Sequence, residues 1–230
     1  MAWLKKNKPH KNAEGRVALT IQEHGIDTVI DVGANMGQTH DTLRRWGFKG
    51  NIISIEPLPS LQENLQKKAK QDPLWTVLPP LALGNDNKNI EMNVSEATDM
   101  SSILEVSDEL LVALPKSNKV TQVTIPMKTL DTLYEELQLD QKRVFIKLDT
   151  QGYEMNILKH GKKALQKAIG LRLEMSLFEV YKGEALMSEI MMFMKENNFA
   201  PYLIWETYFS RKLNRQLQAD GVFYKERKTA

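Results

Sequence analysis

The sequence predicts a doubly wound α/β fold: a mostly parallel sheet of seven strands with helices on both faces. Three observations carry this expectation. Short apolar runs alternate with stretches of helical spacing along most of the chain, beginning with Thr28–Val32 and Asn51–Ile55. The first run ends in the glycine turn Gly33-Ala34-Asn35-Met36-Gly37, and a helix pattern follows it. The run Arg143–Asp149 repeats that arrangement, with Thr150-Gln151-Gly152 as the turn. Two closing apolar runs have no helix between them, which predicts an antiparallel edge strand.

The totals suit one domain. A chain of 230 residues, 42% hydrophobic and 26% charged, is long enough for a full core. Its net charge of +2 comes from interleaved acids and bases, which argues against a dedicated nucleic-acid surface. Only residues 1–16 are lopsided, with Lys5, Lys6, Lys8, Lys11 and Arg16 against Glu14. They read as a solvated basic arm ahead of a single domain over 17–230. With no cysteine, disulfides, thiolate nucleophiles and Cys-ligated zinc are excluded. No apolar stretch reaches the roughly eighteen residues of a membrane span, and no apolar segment follows the basic N-terminus as in a signal peptide. A cytoplasmic location is the expectation.

Taken in order, Val17, Ala18 and Ile21 give a short helix one apolar face, and Gly25 closes it. Thr28–Val32 is apolar enough for a strand covered on both faces. Leu43 and Trp46 mark the helix after the glycine turn, with Gly47 as its stop. Asn51–Ile55 ends at Glu56-Pro57, and Leu61 and Leu65 mark the next helix, which ends near Asp72-Pro73. Leu74–Leu78 is the third strand, followed by Pro79-Pro80 and Leu81-Ala82-Leu83-Gly84. From about 85 to 125 the alternation lapses into a small β insertion. Within it Ile90, Met92 and Val94, and later Val123 and Ile125, alternate with polar residues, with a short helix at Asp108–Leu114 between them. Leu130, Leu133, Tyr134 and Leu137 return to helical spacing, and after Asp149 a helix runs over Tyr153–His160 to Gly161. Ile169–Met175 is a strand with Glu174 near its tip; Leu186, Ile190, Phe193 and Met194 define a helix, and Pro201–Trp205 and Gly221–Tyr224 are the closing strands. The methionines at 187, 191, 192 and 194 have core spacing.

The opening β-α-β unit has the features of a nucleoside site. Gly33 and Gly37 let backbone lie against a ligand, and Glu56 stands at the tip of the second strand, roughly twenty residues past the turn, where an acid can hold two ribose hydroxyls. The dinucleotide pattern would place a glycine where Asn35 stands, and a carboxylate at Asp31 would repel a pyrophosphate. Asp31 suits a cationic ligand with an amino group, which points to S-adenosylmethionine over a nicotinamide dinucleotide. The candidate cofactor residues are Asp31, Gly33, Ala34, Asn35, Gly37, Glu56, Pro57, Leu83, Gly84 and Asp149, with the adenine expected near Leu83 and Gly84.

With those residues in place, the chain from about Thr28 to Tyr224 resembles the FkbM-type S-adenosylmethionine-dependent methyltransferases. The resemblance rests on Asp31–Gly37, Glu56-Pro57, Ser101-Ser102, and above all Ile146-Lys147-Leu148-Asp149-Thr150-Gln151-Gly152-Tyr153-Glu154. Leu173-Glu174-Met175-Ser176, Tyr181 and Asp220-Gly221-Val222-Phe223 match later landmarks. It implies a Rossmann-like class I fold and methyl transfer to a hydroxyl on a sugar, polysaccharide or other small natural product.

That chemistry needs the acceptor oxygen held behind the methyl carbon and helped to lose its proton. Asp149 is the first candidate for that base, Glu174 the second, and two acids on adjacent strand tips could also share a divalent cation. The alternative for Asp149 is a helix cap. Lys147 is read as half of a structural ion pair with Glu154 or Glu174. Ser101, Ser102 and Tyr181 are candidate acceptor contacts, with Trp205 and Tyr208 as further pocket walls; His40 is placed to approach the cofactor but is no candidate base. The competing functions are a nicotinamide-dependent oxidoreductase and a non-catalytic nucleoside-binding module on the same fold.

Overall fold

Asn12 starts the first helix by accepting a hydrogen bond from Gly15 N at 3.1 Å, so α1 runs over Ala13–Glu23 with Val17, Ala18 and Ile21 buried. The boundary expected at 16/17 therefore falls inside a helix. Arg16 donates to the His10 carbonyl and Glu14 pairs with Arg172, so these residues of the expected arm are folded onto the domain. The computed structural model describes residues 8–95, 102–113 and 120–226. Ser101 lies outside the described residues.

After α1 come β1 (Thr28–Val32), α2 (Gln38–Arg45), β2 (Asn51–Ile55), α3 (Pro59–Ala69), β3 (Trp75–Val77) and β4 (Ala82–Gly84). The middle of the chain gives β5 (Lys88–Ser95), α4 (Asp108–Ala113), β6 (Val120–Thr129), α5 (Leu130–Glu136) and β7 (Val144–Leu148). The last part gives α6 (Glu154–Lys159), α7 (Lys162–Lys167), β8 (Gly170–Ser176), α8 (Met187–Glu196), β9 (Phe199–Ser210) and β10 (Arg215–Lys225). Seven strands form one sheet in the order β3-β2-β1-β7-β8-β10-β9. Strands β3, β2, β1, β7 and β8 are parallel, and β10 runs antiparallel to both β8 and β9. The order reverses at β1, and this is the switch point where doubly wound sheets open a cleft at their strand carboxyl ends.

All five residues of β1 and of β7 are buried, as strands covered on both faces require, the charged Asp31 and Lys147 included. The insertion is a separate sheet, β4-β6-β5, with β4 parallel and β5 antiparallel to β6. It begins at Ala82, earlier than the sequence suggested, because β4 leaves the main sheet. The closing strands are also more than twice as long as expected, at 12 and 11 residues. Past Trp205 the polar Glu206 and Thr207 interrupt the apolar run, yet pairing with β10 extends β9 to Ser210. Pro201 is tolerated because β9 is the edge strand and one side of it owes no hydrogen bonds. Helix α7 has no apolar periodicity long enough to announce it. Of the methionines, Met194 is in the core, while Met192 lies on the outer side of α8 and is 60% exposed.

One rung crosses the sheet with polar side chains. Ser54, Asp31, Lys147 and Arg172 are opposite one another on β2, β1, β7 and β8, so they share one face. Helices α1 and α2 cover that face through Glu14, Val17, Ile21, Thr39 and Leu43.

Candidate active site

A cleft of about 640 Å³ opens at the carboxyl ends of β1, β2, β7 and β8. On one side it is lined by Gly33, Asn35, Glu56, Pro57, Leu58 and Leu83; on the other by Leu110, Val180, Tyr181 and Tyr208. Asp149, Gln151 and Glu174 stand between the two.

The glycine turn is built by close approach. A Cβ on Gly33 would lie 1.9 Å from the Asp149 carbonyl oxygen, and its φ of +78° already excludes most side chains. Gly37, at φ +84°, leaves room for the Trp75 ring, which a Cβ would meet at 2.8 Å. Asn35 takes φ +46°, and its buried Oδ1 has no hydrogen-bond partner among the described residues, which leaves one acceptor of the turn unmet there. Glu56 ties the turn to the next strand end. Its Oε2 accepts from Asn35 N at 2.7 Å and its Oε1 from Leu58 N at 3.0 Å. Burial pushes the Glu56 carboxyl up, against the lowering effect of those two amides.

The charged rung forms the floor. Lys147 Nζ lies 3.3 Å from Asp31 Oδ1 and 3.2 Å from Asp149 Oδ2, and donates to the Gly33 carbonyl at 3.1 Å. Burial alone would lower the Lys147 ammonium, but Asp149 and Asp31 hold it above the ordinary lysine range. The expected partners, Glu154 and Glu174, are not the ones it takes. Asp31 is directly opposite in the register, which decides the pairing. Asp31 is fully buried and accepts from Ser54 Oγ at 3.2 Å, so the expectation that it faces the ligand is corrected: it lies beneath the cleft as the counter-ion of Lys147. Arg172 is bracketed likewise, bidentate on Glu14 at 2.8 Å and 2.6 Å from Asp220, with its guanidinium over Trp205.

Asp149 does not cap a helix. Burial would raise its carboxyl, but Lys147, joined by Gln151, holds it below the ordinary aspartate value, and 37% of its side chain is open to the cleft. Glu174 is the opposite case. Burial, then the charges of Asp149, Glu154 and Asp220, push its carboxyl well above the ordinary range. Two adjacent carboxyls with divergent acidities are an arrangement that separates proton-taking from proton-holding roles. Gln151 links them: its Nε2 donates to Asp149 Oδ1 at 2.9 Å and to Glu174 Oε2 at 3.1 Å, and its Oε1 accepts from Tyr181 OH at 2.5 Å. Glu154 braces the turn by accepting from Thr150 N and Oγ1 at 2.6 and 3.0 Å, and its burial raises it to about 7.

Residues 31–201 match the Methyltransferase FkbM domain. The chain belongs to this methyltransferase family. Its methyl donor is S-adenosylmethionine. Among solved structures, magnesium protoporphyrin IX methyltransferase from Synechocystis PCC 6803 with bound SAH aligns at TM-score 0.50 and 11% identity, over 95% of this chain and 84% of that one. An uncharacterized protein from Listeria monocytogenes serotype 4b aligns at TM-score 0.51 and 10% identity, over 94% of this chain and 68% of that one. At such identities the likeness is one of fold. No curated protein sequence matches the chain significantly.

In this FkbM-domain protein the cleft brings together Gly33, Asn35, Glu56, Pro57, Leu83, Asp149, Glu174 and Tyr181 from the sequence-predicted set. Ala34, Gly37 and Gly84 shape the walls from behind; a Cβ on Gly84 would strike Met127 Sδ at 2.2 Å. Ser102 is turned inward, donating from Oγ to the Gln151 carbonyl at 2.7 Å and accepting from Leu104 N at 3.0 Å, so it steadies the turn and does not face an acceptor. Trp205 is placed under Arg172, away from the pocket wall. His40 stacks on Trp75 and sits between Asp41 and Asp72, also away from the cleft. Sequence reasoning missed Glu14, Gln151, Arg172 and Gln218. For Arg172 a signal existed: Arg172-x-Glu174 repeats the cation-x-anion step of Lys147-x-Asp149 on the adjacent strand.

Proposed function

We propose that the protein methylates a hydroxyl oxygen of a sugar or another small natural product, with Asp149 as the proton acceptor. The observation that carries this reading is Asp149 itself. It is an ionised carboxylate open to the cleft, at the boundary between the glycine-turn side and the apolar wall of Leu110, Val180, Tyr181 and Tyr208. The residues fit the donor: Glu56 stands at a strand end beside the glycine turn, and the two lining cations, Lys147 and Arg172, are neutralised by Asp31, Asp149, Glu14 and Asp220, so neither repels a positively charged sulfur. Bound there, S-adenosylmethionine supplies a methyl group on a positively charged sulfur.

Glu56 holds the ribose hydroxyls through the lone pairs its amide partners leave free, and Pro57 and Leu83 flank the base. Tyr181 and Tyr208 position the acceptor ring. Asp149 would take the proton of the acceptor hydroxyl as that oxygen is methylated, and the bound donor would supply the methyl group, the C–S bonding pair staying with the sulfur. The nicotinamide reading gives way to the family assignment.

The test is mass spectrometry of candidate glycans and metabolites after incubation with labelled donor, with Asp149→Asn in parallel. The expected result is a gain of one methyl that falls about 100-fold or more in the variant. A variant as fast as the parent would remove Asp149 from the chemistry. Calorimetry should show S-adenosylhomocysteine binding and no NADH binding.

A further inference from the structure

The geometry points to Gln151 as a positioning residue whose amide stands where a divalent cation would otherwise bridge Asp149 and Glu174, so that the reaction runs without one. This deepens the reading above and rests on it for the role of Asp149. Two carboxyl groups on neighbouring strand tips bring acceptor oxygens together and need something positive or hydrogen-donating between them. Here that something is one NH₂ group. Its two hydrogens go to Asp149 Oδ1 and Glu174 Oε2, which uses its full donor capacity.

The amide cannot be reversed, since its oxygen would then face Asp149 Oδ1 and a Glu174 Oε2 that already accepts from Gln218, and the Tyr181 hydroxyl donates to Oε1 on the far side. The neighbouring oxygens are already engaged. Gln218 Nε2 donates to Glu174 Oε2 at 2.9 Å, and Lys147 covers Asp149 Oδ2. The backbone is pinned as well: Gln151 is held at φ +56°, a conformation disfavoured for residues with a Cβ, and Ser102 Oγ donates to its carbonyl. Among the described residues no three His, Cys, Asp or Glu side chains gather as a metal-binding group, and Gln151→Glu would supply the third.

The experiment titrates Mn²⁺ by calorimetry into the wild type, Asp149→Asn, Gln151→Glu, and Gln151→Glu with Asp149→Asn, with thermal unfolding of each to confirm folding. The expected result is no saturable Mn²⁺ binding by the wild type, one bound ion in Gln151→Glu, and loss of that ion in the double variant. Saturable wild-type binding that Asp149→Asn abolishes, or a folded Gln151→Glu that binds nothing, would overturn the inference. These readouts need no methyl transfer, so they stand even if no acceptor is found and the hydroxyl-methylation reading fails. With an acceptor in hand, EDTA should leave wild-type turnover unchanged, and Gln151→Met should lower kcat about tenfold and shift its pH profile. Gln151→Met also serves should Gln151→Glu not fold, since an unaltered kcat and pH profile in it would count against the positioning role.

Discussion

Gly33 shows how one residue can serve fold and site together. Its missing side chain lets β1 and the turn after β7 touch, with the Asp149 carbonyl where a Cβ would be. Gly33→Ala should therefore lower stability by about 3 kcal/mol or more, read as a drop in the denaturant midpoint, because both the clash and the positive φ oppose it. Glu56→Ala removes two hydrogen bonds from the turn as well as the expected ribose acceptor. Calorimetry should show S-adenosylhomocysteine affinity falling about tenfold or more; an unchanged affinity would refute the ribose role. At this scale the sequence was readable where a residue type has one use, as for Gly33. It misled where two uses compete. Asp31 was legible as an acid at a strand end, but only the β1–β7 register reveals that Lys147 claims it.

At the scale of elements, the mostly apolar strands and their turns could be found from the chain alone, because burial on both faces leaves one charged position in each, Asp31 in β1 and Lys147 in β7, within a run of apolar residues. The length of β9 and the separate sheet of the insertion could not, since both depend on a partner strand distant in sequence. The charged rung across β1, β7 and β8 is likewise a product of register. Lys147→Met should cost about 3–5 kcal/mol by leaving Asp31 and Asp149 without their cation. Adding Asp31→Asn should recover part of that loss, and urea unfolding of the single and double variants measures the coupling.

For the whole molecule, the balance of buried acids sets the response to pH. Glu154 is raised from 4.5 to about 7, and burial raises Glu174 and Asp220 in the same direction. Between those values the folded chain keeps a proton on Glu154 that the unfolded chain has released, so the stability from this group is complete below about 4.5 and is lost as the pH rises through about 7. Asp72, lowered to about 2 against burial by Arg44 and His40, acts in reverse and stops contributing as the pH falls from 3.8 through about 2. The unfolding midpoint should thus decline from mildly acidic to neutral pH. Glu154→Gln, which keeps an oxygen for Thr150, should flatten that decline by up to about 3 kcal/mol at pH 8. A variant as steep as the parent would acquit Glu154.

The clasp between Glu14 and Arg172 joins residues 158 positions apart. On the ribosome, the opening helix emerges long before the strand that answers its carboxylate has been translated. The floor of the cleft can therefore be completed only late in synthesis, once β8 has joined the sheet.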